Sequence, residues 1–351
     1  MTARADASDV EARLVALARL RLASLPSPLT AAPRLGAAFG IPELWVKRDE
    51  LLGFGFGGNK VRALELFLAD ALAKGADTLV TGAGPQSNHV RVTAAAAAHA
   101  GLACEAFSWG PEPTSTAQGN LLLSRMLGAR VHFTGDADRA SVDRGIEAAM
   151  TRLRAAGRTP YAIPRGGASA LGVLAHVLAV QEALAQTAAR GVRPAAVVMA
   201  VGSGCTLAGW LLGRRLFGTS FLLEGIVVSR PARETRVRVV TLAAEAATLL
   251  GGDAAARLAR TPFVDDELGL HDGFLGEGYG IPTIAGLAAL RTAARCEGIF
   301  TDPTYTGKAL AGLAALAHDK RLPTGPVLFL HTGGEPALFA HAEAIVHAEG
   351  A

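Results

Sequence analysis

The chain has 351 residues, 50% of them hydrophobic, and its 34 basic and 31 acidic residues leave a net charge of +3. That supply of apolar side chains builds a large core and, at this length, about two domains. Interspersed charges and an aromatic content of 5% offer neither a basic block nor a stacking platform, so no nucleic-acid partner is expected.

From the N-terminus, MTARADASDVEARLVALARL reads as an amphipathic helix that carries acids and lacks the basic-then-apolar layout of a secretory leader. No apolar run of about 18 residues is evident, so no membrane span is expected. The cysteines, Cys104, Cys205 and Cys296, are too scattered for a disulfide framework or paired zinc spacing, and a reduced cytoplasmic protein is expected. The nine histidines show no H-E-x-x-H spacing, so no metal centre is expected, although carbonyl ligands for a monovalent cation would leave no trace.

Strand-like LWVKRDE leads into GFGFGGNK (53–60) and then helix-like KVRALELFLADALAKG. Next, TLVTG (78–82) precedes a helix over 88–99, LACEAF (102–107) one over about 117–127, and ARVHF (129–133) one over about 140–156. Further apolar strands follow at AAVVMAV (195–201), FLLEGIVVS (221–229) and PVLFLH (326–331). Alternating strands and helices of this kind predict an α/β fold of two open, twisted, mainly parallel sheets with helices on both faces. Breaks near GNK (58–60) and PRGGASALG (164–172) predict a larger domain of residues 1–58 and 172–351 and a smaller one of residues 59–171. Ligands in such sheets bind at the carboxyl ends of strands and in the cleft between domains.

Three glycine- or serine-rich turns then carry the chemistry. In GFGFGG, Gly53, Gly55 and Gly58 satisfy the dinucleotide pattern, but the next strand ends in Thr81-Gly82-Ala83-Gly84, without the acid that would hold a ribose. The same loop instead presents Lys60 at a helix start, where the dipole presses an amine toward its neutral, nucleophilic form. GAGPQSNHVR (82–91) opens a helix with Ser87, Asn88 and His89, donors suited to a carboxylate and also ordinary helix-capping types. AVGSGCTLAGW (200–210) is again strand, turn, helix; it lacks the G-K-[ST] of a P-loop and suits a single phosphate monoester.

Together with DPTYTGKALAGL (302–313) and LHTGGEPALFA (330–340), these motifs resemble the pyridoxal-phosphate family of D-cysteine desulfhydrase and 1-aminocyclopropane-1-carboxylate deaminase. The resemblance runs from about residue 25 to about residue 340 and implies the fold type II architecture of the tryptophan synthase β-subunit, with the active site in the interdomain cleft. It implies that Lys60 bonds pyridoxal 5′-phosphate and that Gly202, Ser203, Gly204, Cys205 and Thr206 hold its phosphate. Ser87, Asn88 and His89 would gather around the substrate carboxylate and the cofactor's 3-oxygen, with Thr332 at the cofactor. Tyr279 and Tyr305 would assist proton transfer at a small amino-acid substrate, in a homodimer.

Where deaminases resemble Y-E-G-K and H-L-G-G, this chain has Thr306 and Thr332. A hydroxyl protonates a pyridine nitrogen less than a carboxylate does, which points to expulsion of a good leaving group rather than ring opening. D-Cysteine desulfhydration is therefore the expected activity. 1-Aminocyclopropane-1-carboxylate deamination, L-cysteate sulfo-lyase-like activity and a non-catalytic cofactor-binding relative are the alternatives. Ala63 stands where the family has a second lysine, and Arg165, Ala168 and Ser169 depart from P-x-G-G-S-N-A-L-G. Arg165 either pairs on the surface or faces the cleft and favours a second anionic group on the substrate.

Overall fold

The computed structural model describes residues 2–261, 263 and 267–347. Its strands are β1 (Leu29–Ala31), β2 (Leu44–Arg48), β3 (Thr78–Gly82), β4 (Ala103–Ser108), β5 (Arg130–Phe133), β6 (Pro160–Ala162), β7 (Ala196–Val201), β8 (Leu222–Val227), β9 (Leu268–His271) and β10 (Val327–His331). Helices α1 (Thr2–Val15) and α2 (Pro33–Phe39) precede α3 (Lys60–Ala73), α4 (Asn88–His99), α5 (Gly119–Met126), α6 (Ala140–Ala155) and α7 (Ala170–Ala188). Then come α8 (Cys205–Leu216), α9 (Ala232–Leu250), α10 (Gly252–Arg260), α11 (Ile284–Glu297), α12 (Thr306–His318), α13 (Pro336–Ala340) and α14 (Ala342–His347).

Two sheets result, a six-stranded one in the order β1-β2-β10-β7-β8-β9 and a four-stranded one in the order β5-β4-β3-β6. All pairings are parallel except β1 with β2. The four-stranded sheet draws on residues 78–162, and the six-stranded sheet takes its strands from either side of that stretch. The strands and helices expected between residues 44 and 156, and the strands expected after them, lie within a residue or two of their bounds, whereas α1 ends at Val15 and not near residue 20. The short β1, β6 and β9 carry too few residues to show a period.

β7 is buried along its whole length because it is covered on both faces, as parallel central strands are. Its alternate residues serve different layers: Val197, Met199 and Val201 pack with α7, α8 and α9, whereas Val198 and Ala200 pack with α11 and α12. A buried ionic network ties β2, α3 and α7 together. Arg62 donates to Asp49 and to Glu182 at 2.8 Å each, Lys47 pairs with Glu182, and Ser27 Oγ donates to Asp49 at 2.7 Å. The expectation of no span-length apolar segment needs one correction. α7, with 19 residues, is long and apolar enough to cross a membrane by length and composition. In the fold, 56% of its apolar window is buried in the protein and its Glu182 completes the ionic network, which explains the composition as that of a core helix.

Candidate active site

The turns that follow β3, β7 and β10 converge with the start of α3 on one cavity between the two sheets, at the carboxyl ends of the strands. Lys60, Ser87, Asn88, His89, Gly202, Ser203, Gly204, Thr206, Tyr279, Tyr305 and Thr332 all line it.

Lys60 is the first residue of α3, and its Nζ donates to the Gly166 carbonyl at 2.9 Å. Burial holds its pKa below the usual lysine range, with the Cys205 thiol acting the other way. Among the described residues no carboxylate pairs with it, so the amine is held by a single neutral acceptor. The loop before it is anchored by Asn59, whose N–H donates to the Thr332 carbonyl at 3.0 Å and whose Nδ2 donates to Thr206 Oγ1 at 2.8 Å.

Ser87 caps α4, its Oγ accepting from the Val90 N–H at 3.3 Å. Asn88 Oδ1 accepts from Asn120 Nδ2 at 2.9 Å and Arg91 Nη2 at 3.4 Å, which leaves the Asn88 amide nitrogen as the donor side. Thr81 Oγ1 donates to the Ile163 carbonyl at 2.9 Å, so it must accept from His89 Nε2, 2.8 Å away. His89 therefore carries its proton on Nε2, and its Nδ1 lone pair has no partner. Burial lowers its pKa to about 3, assisted by Lys60, and the ring stays neutral.

The Gly202–Thr206 turn runs from β7 into α8, with Gly204 in the left-handed region at φ 88°. The unpartnered N–H groups of the first turn of α8 open here, a ready anion site. Arg238 Nε donates to the Ser203 carbonyl at 2.9 Å and Arg230 Nη1 to the Gly202 carbonyl at 3.4 Å, so cations back the turn. Cys205 departs from expectation. Its side chain does not line the cavity; its Sγ turns to the Gly167 carbonyl, 3.4 Å away, so the backbone is what it can offer.

Tyr279 and Tyr305 share a hydroxyl–hydroxyl hydrogen bond. Burial pushes Tyr279 up to about 12 and holds Tyr305 well above the usual tyrosine range, so both are protonated at neutral pH. Sequence reasoning missed Trp109, Arg139, Arg230 and Arg238, which also line the cavity. The Arg139 guanidinium lies 5.2 Å from the ring centres of both Trp109 and Tyr279. Arg165 lines the cavity, and its Nη2 lies 3.1 Å from Asp143. Other positions singled out in the sequence lie off the cavity. Thr306 binds Asp302, Ser169 caps α7, and Ala63 packs in the core.

Comparison with known proteins identifies the family. The model of the family described as pyridoxal-phosphate dependent enzyme matches residues 20–333. D-Cysteine desulfhydrases of Salmonella choleraesuis (strain SC-B67) and Salmonella paratyphi C (strain RKS4594) are each 40% identical over 328 residues, 92% of this chain and 96% of theirs. The crystal structure of an ACC deaminase homologue superposes with a TM-score of 0.87 at 34% identity, covering 97% of this chain and 99% of that one. A fungal L-serine ammonia-lyase from Rhizomucor miehei shares the fold, with a TM-score of 0.65 at 18% identity over 94% of this chain and 98% of its own. The residues present fit the cofactor this family carries. A buried amine without a carboxylate partner suits its carbonyl carbon, and a helix N-terminus backed by two arginines suits its phosphate. On both the site and the comparisons, the chain belongs to the family of pyridoxal-phosphate-dependent enzymes.

Proposed function

We propose that the protein catalyses β-elimination from D-cysteine, giving pyruvate, sulfide and ammonia. The observation that carries this reading is a buried Lys60 amine, free of carboxylates, sharing one cavity with the paired hydroxyls of Tyr279 and Tyr305. The name of the 40% identical relatives supports the same substrate.

Pyridoxal phosphate, when bound, withdraws electron density from the α-carbon of an attached amino acid and acidifies its proton. Lys60 Nζ accepts that proton, since burial favours its neutral form. Asn88 Nδ2 and Ser87 Oγ orient the substrate carboxylate at the N-terminus of α4. The Gly202–Thr206 turn would hold the phosphate, and the neutral His89, its Nδ1 without a partner, leaves an acceptor free at the α4 side of the cavity. Thr306, at the position of the deaminases' carboxylate, is turned to Asp302 and off the cavity, and Thr332 would stand at the cofactor with a hydroxyl only; the lack of a carboxylate there favours a good leaving group over opening a carbon ring. The sulfur departs with the C–S bonding pair and takes a proton from Tyr305, which Tyr279 supports through their shared hydrogen bond. The released enamine adds water to give pyruvate and ammonia. A homodimer in the cytoplasm, and a smaller unit of residues 59–171, belong to the same proposal.

A second reading rests on four guanidinium groups, Arg139, Arg165, Arg230 and Arg238, which line the cavity together. Two of them, Arg139 and Arg238, donate to backbone oxygens rather than to carboxylates. Such a surplus favours a substrate with a second anionic group, such as L-cysteate.

The test is keto-acid release from D-cysteine, L-cysteine, L-cysteate and 1-aminocyclopropane-1-carboxylate. We expect pyruvate and sulfide from D-cysteine, and a loss of about 10²–10⁴-fold in Lys60→Ala, the range for removing a general base. Turnover of L-cysteate in place of D-cysteine would put the second reading first, turnover of the cyclopropane would restore ring opening, and silence on all four would leave a non-catalytic cofactor-binding protein.

A further inference from the structure

Beside Thr332 in the chain, among residues that do not line the cavity, two buried groups and a half-buried one meet that the reaction does not use. Glu50 lies in the 3-10 turn that follows β2, His331 ends β10, and Glu335 immediately precedes α13. One donor atom from each falls within 4.8 Å of the other two. His331 is fully buried. Its Nε2 lies 2.8 Å from the Phe300 carbonyl and must donate to it, so the neutral ring carries a lone pair on Nδ1. The Gly333 N–H points at the same Nδ1 from 3.2 Å, consistent with that tautomer.

Facing this lone pair, 3.5 Å away, is Glu50 Oε2, on a side chain only 4% exposed. No donor reaches that oxygen, nor Glu335 Oε2. Arg48 pairs with the other oxygen of Glu50, and Arg91 is the cation that acts on Glu335, yet neither guanidinium hydrogen-bonds the two facing oxygens. Two carboxylate oxygens without a donor, facing an imidazole nitrogen whose one donor is a backbone N–H 3.2 Å away, are costly unless something positive sits among them.

We propose that Glu50, His331 and Glu335 form a binding site for a divalent transition-metal ion of the zinc class. Two carboxylates and an imidazole are a donor set that such ions take, at about 2.0–2.2 Å, and tetrahedral ligands at that radius stand roughly 3.4 Å apart. The 3.5 Å between His331 Nδ1 and Glu50 Oε2 matches this spacing, and rotation of Glu335 brings in the third donor. The backbone carbonyl on His331 Nε2 is the outer partner that orients a ligating imidazole. His331 and Glu335 stand four residues apart, but Glu50 comes from the other end of the chain, which is why no metal spacing is legible in the sequence. The ion would tie the ends of β2 and β10 to α13. Lys60's loop hangs from the same frame, through Gly58 N to the Asp49 carbonyl at 2.9 Å and Asn59 N to the Thr332 carbonyl at 3.0 Å. Its role is to brace that loop without touching substrate.

The test uses chelator-treated, cofactor-loaded protein dialysed against Zn²⁺ or Co²⁺. We expect one equivalent retained, a thermal midpoint raised by several degrees and a Co²⁺ visible spectrum free of thiolate charge-transfer bands. Glu335→Gln should lose at least about tenfold in metal affinity while keeping the cofactor's absorbance. No stoichiometric retention would mean that a shared proton resolves the cluster and would overturn the proposal. Equal retention in Glu335→Gln would overturn it too, by placing the ion elsewhere. The wild-type Co²⁺ spectrum decides independently of whether the variant folds, since a thiolate band would assign the ion to cysteine.

Discussion

His176 is wholly buried beneath the Gly202–Thr206 turn, its Nε2 3.3 Å from Thr206 Oγ1 and its Nδ1 without a partner. Burial, and then the charge of Lys60, lower its pKa to about 3 from 6.5. Between those values the unfolded chain binds a proton that the folded chain does not. The stability contributed by the neutral ring is therefore complete above pH 6.5 and is lost as pH falls below it, at about 1.4 kcal/mol per unit. Denaturation of wild type and His176→Gln at pH 6.5 and 5.5 isolates this group, because the other titrations are common to both. Wild type should lose about 1 kcal/mol more than the variant over that unit, because the unfolded imidazole is already half protonated at pH 6.5; parallel losses would mean that His176 is hydrated or charged in the fold. Nothing in the sequence around His176 signals this, since a histidine in an apolar helix reads the same whether or not its second nitrogen is satisfied. His89 differs because it follows Gln-Ser-Asn at a helix start, and that context makes its place near the cavity legible.

At the scale of one element, the loop GFGFGGNK shows why a glycine pattern misleads. The dinucleotide pattern picks out Gly53, Gly55 and Gly58, yet Gly57, outside the pattern, has the least freedom. Gly57 has φ 63°, and a Cβ there would sit 2.0 Å from the Glu50 carbonyl oxygen. Gly58, at φ 95°, would bring a Cβ within 3.1 Å of the Thr332 carbonyl oxygen. Gly53 has φ 78° with nothing within 4 Å. The glycines thus let the chain pass between two strand ends and deliver Lys60. Gly53→Ala should cost about 1–2 kcal/mol, the left-handed backbone penalty alone. Gly57→Ala should cost at least about 3 kcal/mol, because backbone must move as well. Thermal midpoints rank the two, and the cofactor's visible absorbance should weaken in Gly57→Ala and persist in Gly53→Ala. Equal midpoints would mean that the loop relaxes freely and does not aim the lysine.

For the molecule as a whole, the motifs were legible because each follows a strand directly, and in parallel sheets all such turns lie at one end. Lone side chains were not. Trp109 follows β4, Arg139 precedes α6, Arg230 follows β8 and Arg238 lies in α9, each in an unremarkable stretch. They converge only because β4 lies beside β3 and β8 beside β7. Arg139 shows what such convergence does. It comes from the end of the four-stranded sheet, and its Nη1 donates to the Ser229 carbonyl at 2.7 Å and Oγ at 3.2 Å, beyond the end of β8 in the other sheet. Its guanidinium also lies against Trp109 and Tyr279, so one side chain spans the cleft and orients the tyrosine pair. Arg139→Met should therefore lower kcat/KM on D-cysteine by about 10–100-fold, the equivalent of about 1.5–3 kcal/mol for a charged hydrogen bond. The thermal midpoint should move little, because the residue is half-buried at the cavity rim. Arg139→Lys should not restore the rate, since an ammonium cannot both fork to Ser229 and stack on two rings. A lysine variant with full activity would mean that charge alone is needed, and Arg139 would then join the second-anion reading instead of the positioning of Tyr279.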